Sequence, residues 1–342
     1  MTELRAMNVF ELTKKLISIP SISGDEKHVA AFLADYLGDA GFEVELSETV
    51  ADRPNVYARR GEPDVVMSTH TDTVPPYFEF SEDQEFIYGR GACDAKGIIA
   101  AMVKAGEALV EANVGGFGLL FVVGEEAGSP GARAADTITN RSRYLINGEP
   151  TESKLALGSK GALRAILRAR GRAAHSAYPE MGESAIEKLL DVLADLRRVE
   201  LPRHETMGST TMNIGMIKGG VAANVIPPEA EAELMFRVVT SADSLRQVIE
   251  TIVGPRCEAE YTFACDPVFT ESAVLSWSDF ETTVVAFTTD IPLLTNWGKP
   301  LLFGPGSILD AHTAGEKISK QELVSAVETY KQMVIRLKAN VS

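Results

Sequence analysis

The sequence has few cysteines and no long apolar run. Cys93, Cys257 and Cys265 are the only cysteines among 342 residues, and no two of them form a Cys-x-x-Cys pair. This usage excludes a disulfide framework and favours a reducing compartment, so we expect a cytoplasmic protein. No apolar stretch approaches the roughly 20 residues that span a bilayer. Residues 1–16 predict an amphipathic helix that lacks the apolar core of a signal peptide.

Positive charge is also in deficit, because 33 basic residues face 48 acidic ones and give a net charge of −15. Nucleic acids and anionic membranes repel such a chain, so we expect neither as a partner. The glycines at 89 and 91 complete neither a dinucleotide-binding nor a P-loop motif. No G-x-S-x-G elbow occurs, which weakens a serine-hydrolase interpretation.

The first part of the chain alternates helical and strand patterns. Residues 25–40 and 96–111 have helical periodicity, and short apolar runs at 64–69, 119–123 and 144–146 predict strands. Alternation of this kind predicts an α/β domain with a mixed, largely buried sheet flanked by helices.

The middle of the chain has a different pattern. From Gly158 the order is strand, helix, two strands, helix, strand, and this βαββαβ order is typical of a ferredoxin-like domain. We therefore predict a catalytic domain at 1–157 and 267–342, with an inserted domain at 158–266. A last helix is expected from Ser319.

Histidines and carboxylates follow several predicted strands or precede a helix. They are His70 and Asp72 after VVMST, Asp94 before the helix at 96–111, Glu125 and Glu126 after LLFVVG, and Glu149 after YLING. Strand C-terminal ends line the ligand crevice of an open α/β sheet, so these side chains can converge. Singly, each motif has a plain explanation as a capped turn or a solvated loop. Together they form a mixed set of donors that suits Zn²⁺ or a similar divalent ion.

Longer motifs carry a resemblance to a known family. They are H-T-D-T-V-P at 70–75, G-R-G-A-C-D-A-K-G at 89–97, V-G-E-E at 123–126, G-E-P-T at 148–151, A-H-S-A-Y-P at 174–179, N-V-I-P-P at 224–228, F-G-P-G-S at 303–307 and D-A-H-T at 310–313. Together they resemble the M20 metallopeptidase and deacetylase family over essentially the whole chain. Within that family the sequence looks most similar to acetylornithine deacetylases and their lysine-pathway relatives.

The resemblance implies two divalent ions, with Zn²⁺ the first expectation and Co²⁺ or Mn²⁺ the alternatives. His70 and Glu149 would bind one ion, Glu126 and His312 the other, and Asp94 would bridge both. The peptide bond after Asp94 is expected to be cis.

The same resemblance implies roles for residues that bind no metal. Glu125 would be the catalytic base, because it stands beside a ligand and can move a proton from water to the leaving amine. Asp72 would fix the tautomer and orientation of His70. His175, in the inserted lid and dimerisation domain, would reach the active site of the partner in a homodimer and donate to the oxyanion. Cys93 is expected to be a packed small residue.

Substrate-binding residues are also implied. Arg237 matches the position at which the family holds the substrate α-carboxylate, which a guanidinium binds bidentately, and Asn224 is expected near it. The turn with Gly304, Gly306 and Ser307 could present backbone amides to the substrate, or it could be a tight loop ahead of His312.

We therefore expect an amidohydrolase that removes a small acyl group, first of all acetyl, from the α-nitrogen of an amino acid such as N2-acetylornithine in arginine biosynthesis. Alternatives within the family are a lysine-pathway hydrolase, a succinyl-diaminopimelate desuccinylase and a dipeptidase. Arginines at 164, 168, 170 and 172 could receive an acidic carrier protein, or they could line a solvated edge strand. A catalytically dead binding protein is the non-enzymatic alternative, although the base and all five expected ligands are present.

Overall fold

The computed structural model describes residues 7–50, 52–270 and 277–340. Residues 1–6 of the predicted N-terminal helix lie outside the described residues. The described helices are α1 (Val9–Ile17), α2 (Lys27–Asp39), α3 (Gly97–Glu111), α4 (Pro130–Ala135), α5 (Ala185–Arg198), α6 (Ala242–Val253) and α7 (Lys320–Ala339). The described strands are β1 (Glu43–Val50), β2 (Arg53–Arg60), β3 (Val65–His70), β4 (Ser81–Glu82), β5 (Phe86–Tyr88), β6 (Phe117–Val122), β7 (Tyr144–Asn147), β8 (Leu155–Ser159), β9 (Gly161–Arg170), β10 (Arg203–His204), β11 (Gly208–Ser209), β12 (Thr211–Gly219), β13 (Glu229–Val238), β14 (Glu258–Cys265), β15 (Val268–Phe269), β16 (Thr282–Val285), β17 (Lys299–Leu302) and β18 (Lys317–Ser319).

The chain divides into two compact units. The first contains residues 1–157, 269–283 and 289–342, and the second contains residues 158–268 and 284–288. Among the described helices, none is long and apolar enough to cross a bilayer.

The first unit is built on a mixed sheet in the order β1-β2-β6-β3-β7-β17-β8, which continues into β15 with β16 beside β8. Strand β3 runs parallel to β6 and β7, and β17 runs parallel to β7, while β1, β2 and β8 pair antiparallel. All six residues of β3 and of β6 are buried, as their short apolar runs predict for central strands, and in β3 the burial extends to the polar residues 68–70. The α/β fold class with a mixed, buried sheet is confirmed.

Helix α3 lies deep in the core of this unit. Ten of its residues are buried, so its sequence is apolar on nearly every side. Gly97 opens the helix where a Cβ atom would approach the Ala92 carbonyl oxygen to 2.4 Å, so a larger residue does not fit. The helix therefore begins directly behind the turn that carries Asp94.

The second unit has the ferredoxin-like order βαββαβ that the sequence predicts. Its antiparallel sheet runs β12-β13-β9-β14, with the short hairpin of β10 and β11 before β12. Helix α5 buries Ala185, Leu189, Val192, Leu193 and Leu196, at the three- and four-residue spacing of one helical face. Burying each large apolar side chain contributes about 2 kcal/mol.

Candidate metal centre

Two groups of potential metal ligands lie in the first unit and share one residue. His70, Asp94 and Glu149 place ligand atoms within 4.8 Å of one another, and so do Asp94, Glu126 and His312. All five ligands expected from the sequence are therefore brought together, with Asp94 common to both groups.

The sheet explains the convergence. His70 ends β3, Glu126 follows β6, and Glu149 follows β7, and these three neighbouring strands are parallel. Their carboxyl ends therefore meet at one edge of the sheet. Asp94 comes from the turn before α3 and His312 from the loop between β17 and β18.

Asp94 directs one carboxylate oxygen at each histidine. Its Oδ1 lies 2.9 Å from His70 Nε2, and its Oδ2 lies 3.2 Å from His312 Nε2. Glu126 Oε1 also lies 2.6 Å from His312 Nε2. Hydrogen bonds to Asp94 and Glu126 raise the pKa of His312 to about 10. The peptide bond between Asp94 and Ala95 is cis, as the resemblance implies.

Glu149 gives the clearest sign that the centre suits a cation. Its side chain is buried, and among the described residues its Oε1 has no hydrogen-bond partner. Burial raises the pKa of Glu149 well above its usual value, and the neighbouring Glu125 and Asp94 raise it further. A buried carboxylate oxygen without a donor is costly, and a divalent ion removes that cost. The residues present therefore fit the expected metal site.

Asp72 organises the surroundings of the two groups. It is fully buried, and its carboxylate accepts hydrogen bonds from Ser23 Oγ at 2.6 Å and from the backbone amides of Glu125 at 3.0 Å and Glu126 at 3.2 Å. His70 Nδ1 lies 3.0 Å from the Asp72 carbonyl oxygen and 3.4 Å from Oδ1. One side chain thus fixes both a histidine and the segment that carries two glutamates.

Glu125 is partly buried beside these residues, and burial raises its pKa well above the usual range. Asp290, which the sequence analysis missed, is the next cause of this shift. Asp290 is buried, and burial raises its own pKa to about 6. Within the described chain its Oδ1 has no partner. It lies in the ordinary-looking segment T-T-D-I-P, where no local pattern signals a buried acid.

The GPGS turn packs against the segment that follows Glu149. The amide of Gly304 donates to Thr151 Oγ1 at 3.0 Å, so this amide already has a partner. A Cβ atom at Gly304 would meet the Glu149 carbonyl oxygen at 2.3 Å. Gly306 has φ +88°, and the Ser307 hydroxyl donates to Glu152 Oε1 at 3.3 Å. These contacts favour the tight-loop interpretation of the turn.

The other predicted residues belong to the second unit and are described within it. His175 is exposed and forms a bridge with Val225, and its Nδ1 accepts a hydrogen bond from the Ala177 amide at 3.1 Å. The backbone carbonyl of Asn224 accepts from the Ser176 amide at 3.0 Å, so Asn224 and His175 are neighbours.

Arg237 lies on the open face of the sheet, on β13. Its side chain is half-buried, and burial lowers the pKa of the guanidinium. Within the described ranges, no hydrogen bond or ion pair of this guanidinium is found. It is therefore a partly desolvated cation available to an anion.

The run of arginines on β9 does not form a basic patch. Arg164 pairs with Glu233, Arg168 with Glu231 and Glu260, and Arg170 with Glu258. Cross-strand glutamates therefore match these three arginines. The prediction of an edge strand is wrong, because β9 lies between β13 and β14. Arg172 lies beyond the end of β9, and its Nε donates to the Met181 carbonyl oxygen at 2.9 Å.

This mixed set of imidazole and carboxylate donors, centred on Asp94, defines a candidate divalent-metal centre. Residues 157–260 match the family described as the peptidase dimerisation domain. A peptidase M20 domain-containing protein of Schizosaccharomyces pombe is 38% identical, over 96% of this chain and 84% of its own length. A probable carboxypeptidase of Aspergillus flavus is 37% identical, over 94% of this chain and 88% of its own. The chain belongs to the M20 peptidase family.

Solved structures show the same fold at low sequence identity. A tripeptidase from Staphylococcus aureus has a TM-score of 0.81 at 20% identity, over 96% of this chain and 98% of that one. An M20 family metallo-carboxypeptidase from Sulfolobus solfataricus has a TM-score of 0.75 at 17% identity, over 96% and 99%. With the family membership, the protein is a metallo-hydrolase that acts on amide bonds and uses divalent metal, so the non-enzymatic alternative is discarded.

Proposed function

We propose that the protein hydrolyses the amide bond next to a free α-carboxylate and releases the terminal amino acid of an N-acyl amino acid or short peptide. The observation that carries the metal-dependent hydrolysis is Asp94, which directs one oxygen at a histidine in each of the two donor groups, and the choice of substrate rests on Arg237.

In this proposal His70 and Glu149 hold one divalent ion, Glu126 and His312 hold the second, and Asp94 is shared. Zn²⁺ is the first candidate, because imidazole and carboxylate oxygen are among its usual ligands, and Co²⁺ and Mn²⁺ are alternatives. When bound, the ions supply Lewis acidity, which polarises the scissile carbonyl and lowers the pKa of a bound water towards neutral pH.

In this proposal, residues of the chain itself transfer the proton from the water to the leaving amine. Glu125 accepts a proton from the attacking water on a carboxylate oxygen and delivers it to the amide nitrogen as the bond breaks. Asp72 supports this step because it holds the Glu125 amide and orients His70.

His175 is proposed as the donor to the developing oxyanion, supplied by the partner subunit of a homodimer. Its Nδ1 accepts a hydrogen bond from Ala177, so the neutral ring carries its proton on Nε2. An Nε2–H on this exposed side chain is the kind of donor an oxyanion needs. The match of residues 157–260 to a dimerisation domain supports the dimer.

Arg237 is proposed to bind the substrate α-carboxylate, with Asn224 as a further polar contact. The support is the half-buried guanidinium of Arg237, for which the described residues provide no partner. A carboxylate would satisfy it with two parallel hydrogen bonds. The requirement for a free α-carboxylate follows from this residue.

Two acyl-side specificities remain candidates. The relatives described as probable carboxypeptidases favour an aminoacyl or peptidyl group. The G-E-P-T and F-G-P-G-S motifs favour an acetyl group, with N2-acetylornithine as the first substrate and the lysine-pathway and succinyl-diaminopimelate compounds as alternatives. The matched charges on β9 argue against an acidic carrier protein.

The test is a release assay on protein loaded with Zn²⁺ or Co²⁺, using N2-acetylornithine, N-acetyl-lysine, succinyl-diaminopimelate and dipeptides, each with a free or amidated carboxylate. We expect turnover of free carboxylates only, and loss of at least about a hundredfold in Glu125→Gln with metal still bound. Full turnover of amidated substrates, or full activity in Glu125→Gln, would contradict the proposal.

A further inference from the structure

We propose that Glu316, paired with Arg90, is a positioning residue for Asp94 and governs metal binding through the backbone that carries this aspartate. The inference rests on the proposed role of Asp94 as the ligand shared by two ions. It concerns a residue outside both donor groups.

Glu316 is fully buried, and both oxygens of its side chain have partners. Oε1 accepts hydrogen bonds from the backbone amides of Cys93 and Asp94, each at 3.3 Å. Oε2 accepts from Arg90 Nη1 at 2.6 Å. The Gly89 amide donates to the Glu316 carbonyl oxygen at 3.0 Å. The carboxylate therefore holds the main chain at Asp94 and is not itself a ligand.

Arg90 extends this support to the segment after β3. It is almost fully buried, and its Nε donates to the Pro76 carbonyl oxygen at 3.1 Å. Its guanidinium carbon lies 4.9 Å from the centre of the Phe78 ring. Glu316 also follows His312 by four residues. The pair therefore joins the three stretches of chain that carry His70, Asp94 and His312.

Charge explains why this position suits an ion pair. Asp94 and Glu149 are buried, and Glu126 exposes only 11% of its side chain, so another unpaired carboxylate would repel them. Arg90 cancels the charge of Glu316 and occupies Oε2, which leaves Oε1 to accept from the two amides at no net charge. Glutamine is less suitable because it has one acceptor oxygen, which cannot serve both Arg90 and the two amides.

The test measures Co²⁺ binding to metal-free full-length protein by visible absorption and by competition with a chelator. We expect Glu316→Gln to weaken Co²⁺ binding about 10- to 100-fold and to shift the absorption bands. At saturating Co²⁺ we expect kcat to fall. KM should stay within about twofold, because Glu316 contacts the backbone that carries Asp94 and has no proposed contact with the substrate. Turnover is followed with the best substrate of the release assay.

A double variant separates positioning from folding. Arg90→Met with Glu316→Leu removes both charges, so no buried charge is left unpaired and the fold is expected to persist. The amides of Cys93 and Asp94 nevertheless lose their acceptor, so weak Co²⁺ binding with shifted bands is still expected. Leu37→Ala, in the buried face of α2, is the control that lowers stability without changing the Co²⁺ spectrum.

Wild-type Co²⁺ affinity and spectrum in the double variant would overturn the inference. Asp94→Asn is measured in parallel to identify which proposal fails. If Asp94→Asn loses Co²⁺ binding while the Glu316 variants keep it, the positioning role alone is wrong. If Asp94→Asn also keeps wild-type binding, the shared-ligand proposal is wrong.

Discussion

Replacing Asp72 by asparagine tests how the centre is held together. The carboxylate accepts from Glu125 and Glu126 amides and from Ser23 Oγ, and its Oδ1 also faces His70. The amide nitrogen of asparagine fits better at the Oδ2 position, because the Ser23 hydroxyl can turn and accept a hydrogen bond. The Glu126 amide cannot turn, so it loses its acceptor.

A buried backbone amide that loses its acceptor in this way lowers the free energy of unfolding by about 1–3 kcal/mol. We therefore expect Asp72→Asn to lose about that much unfolding free energy in the metal-free protein, measured by denaturant titration. Metal affinity should fall about 10- to 100-fold, since Glu126 and His70 lose their support. Ser23→Ala is the matched control for metal affinity, because it removes one hydrogen bond to the Asp72 carboxylate, worth about 1.5–3 kcal/mol of stability, but leaves both amides satisfied. If Asp72→Asn binds metal as tightly as the wild type, the organising role of Asp72 is wrong.

Three further predictions concern the substrate, the turn and the metal. Arg237→Met should raise KM about 10- to 100-fold, because a charged hydrogen bond contributes about 1.5–3 kcal/mol, and an unchanged KM would contradict its role. Gly304→Ala should lower stability by about 1–3 kcal/mol in a thermal melt, through the 2.3 Å approach to Glu149, whereas Gly38→Ala meets no atom within 4 Å and should not destabilise. Chelation should abolish turnover and lower the melting temperature, with a loss of about 2.7 kcal/mol for each ion removed relative to metal at 100 times Kd, and activity that survives complete chelation would refute the metal requirement.

The sequence predicts the central elements of the fold because they have simple patterns. Strands β3, β6 and β7 each contain a short apolar run, and they are observed within two residues of the predicted bounds. Strand β1 was missed although Glu43–Leu46 alternates acidic and apolar residues, which is a strand signal. Strand β2 begins with Arg53-Pro54, and a proline there obscures the pattern.

His70, Glu126 and Glu149 could be predicted because the ends of parallel strands converge, whereas His312 and the division of the ligands between two ions came only from the family resemblance. Glu316, Arg90 and Asp290 could not be found in this way. Each is a charged residue that is buried only because segments far apart in sequence meet around it, and local sequence does not report such burial. A glutamate four residues after His312 and an arginine between two glycines were the only signals, and both are weak.

Carboxypeptidases and acyl-amino-acid deacetylases both cleave an amide bond beside a free carboxylate. The donor groups would supply the same metal chemistry to either reaction. Neither Asp94 nor Glu125 contributes to the choice of acyl group, since their proposed roles concern the metal and the proton. The distinction must therefore come from residues that meet the acyl side of the substrate. Holding the terminal amino acid fixed while the acyl group is varied separates the candidates. A carboxypeptidase accepts an aminoacyl group there, whereas an acetyl-specific enzyme rejects its extra volume and its charged amine.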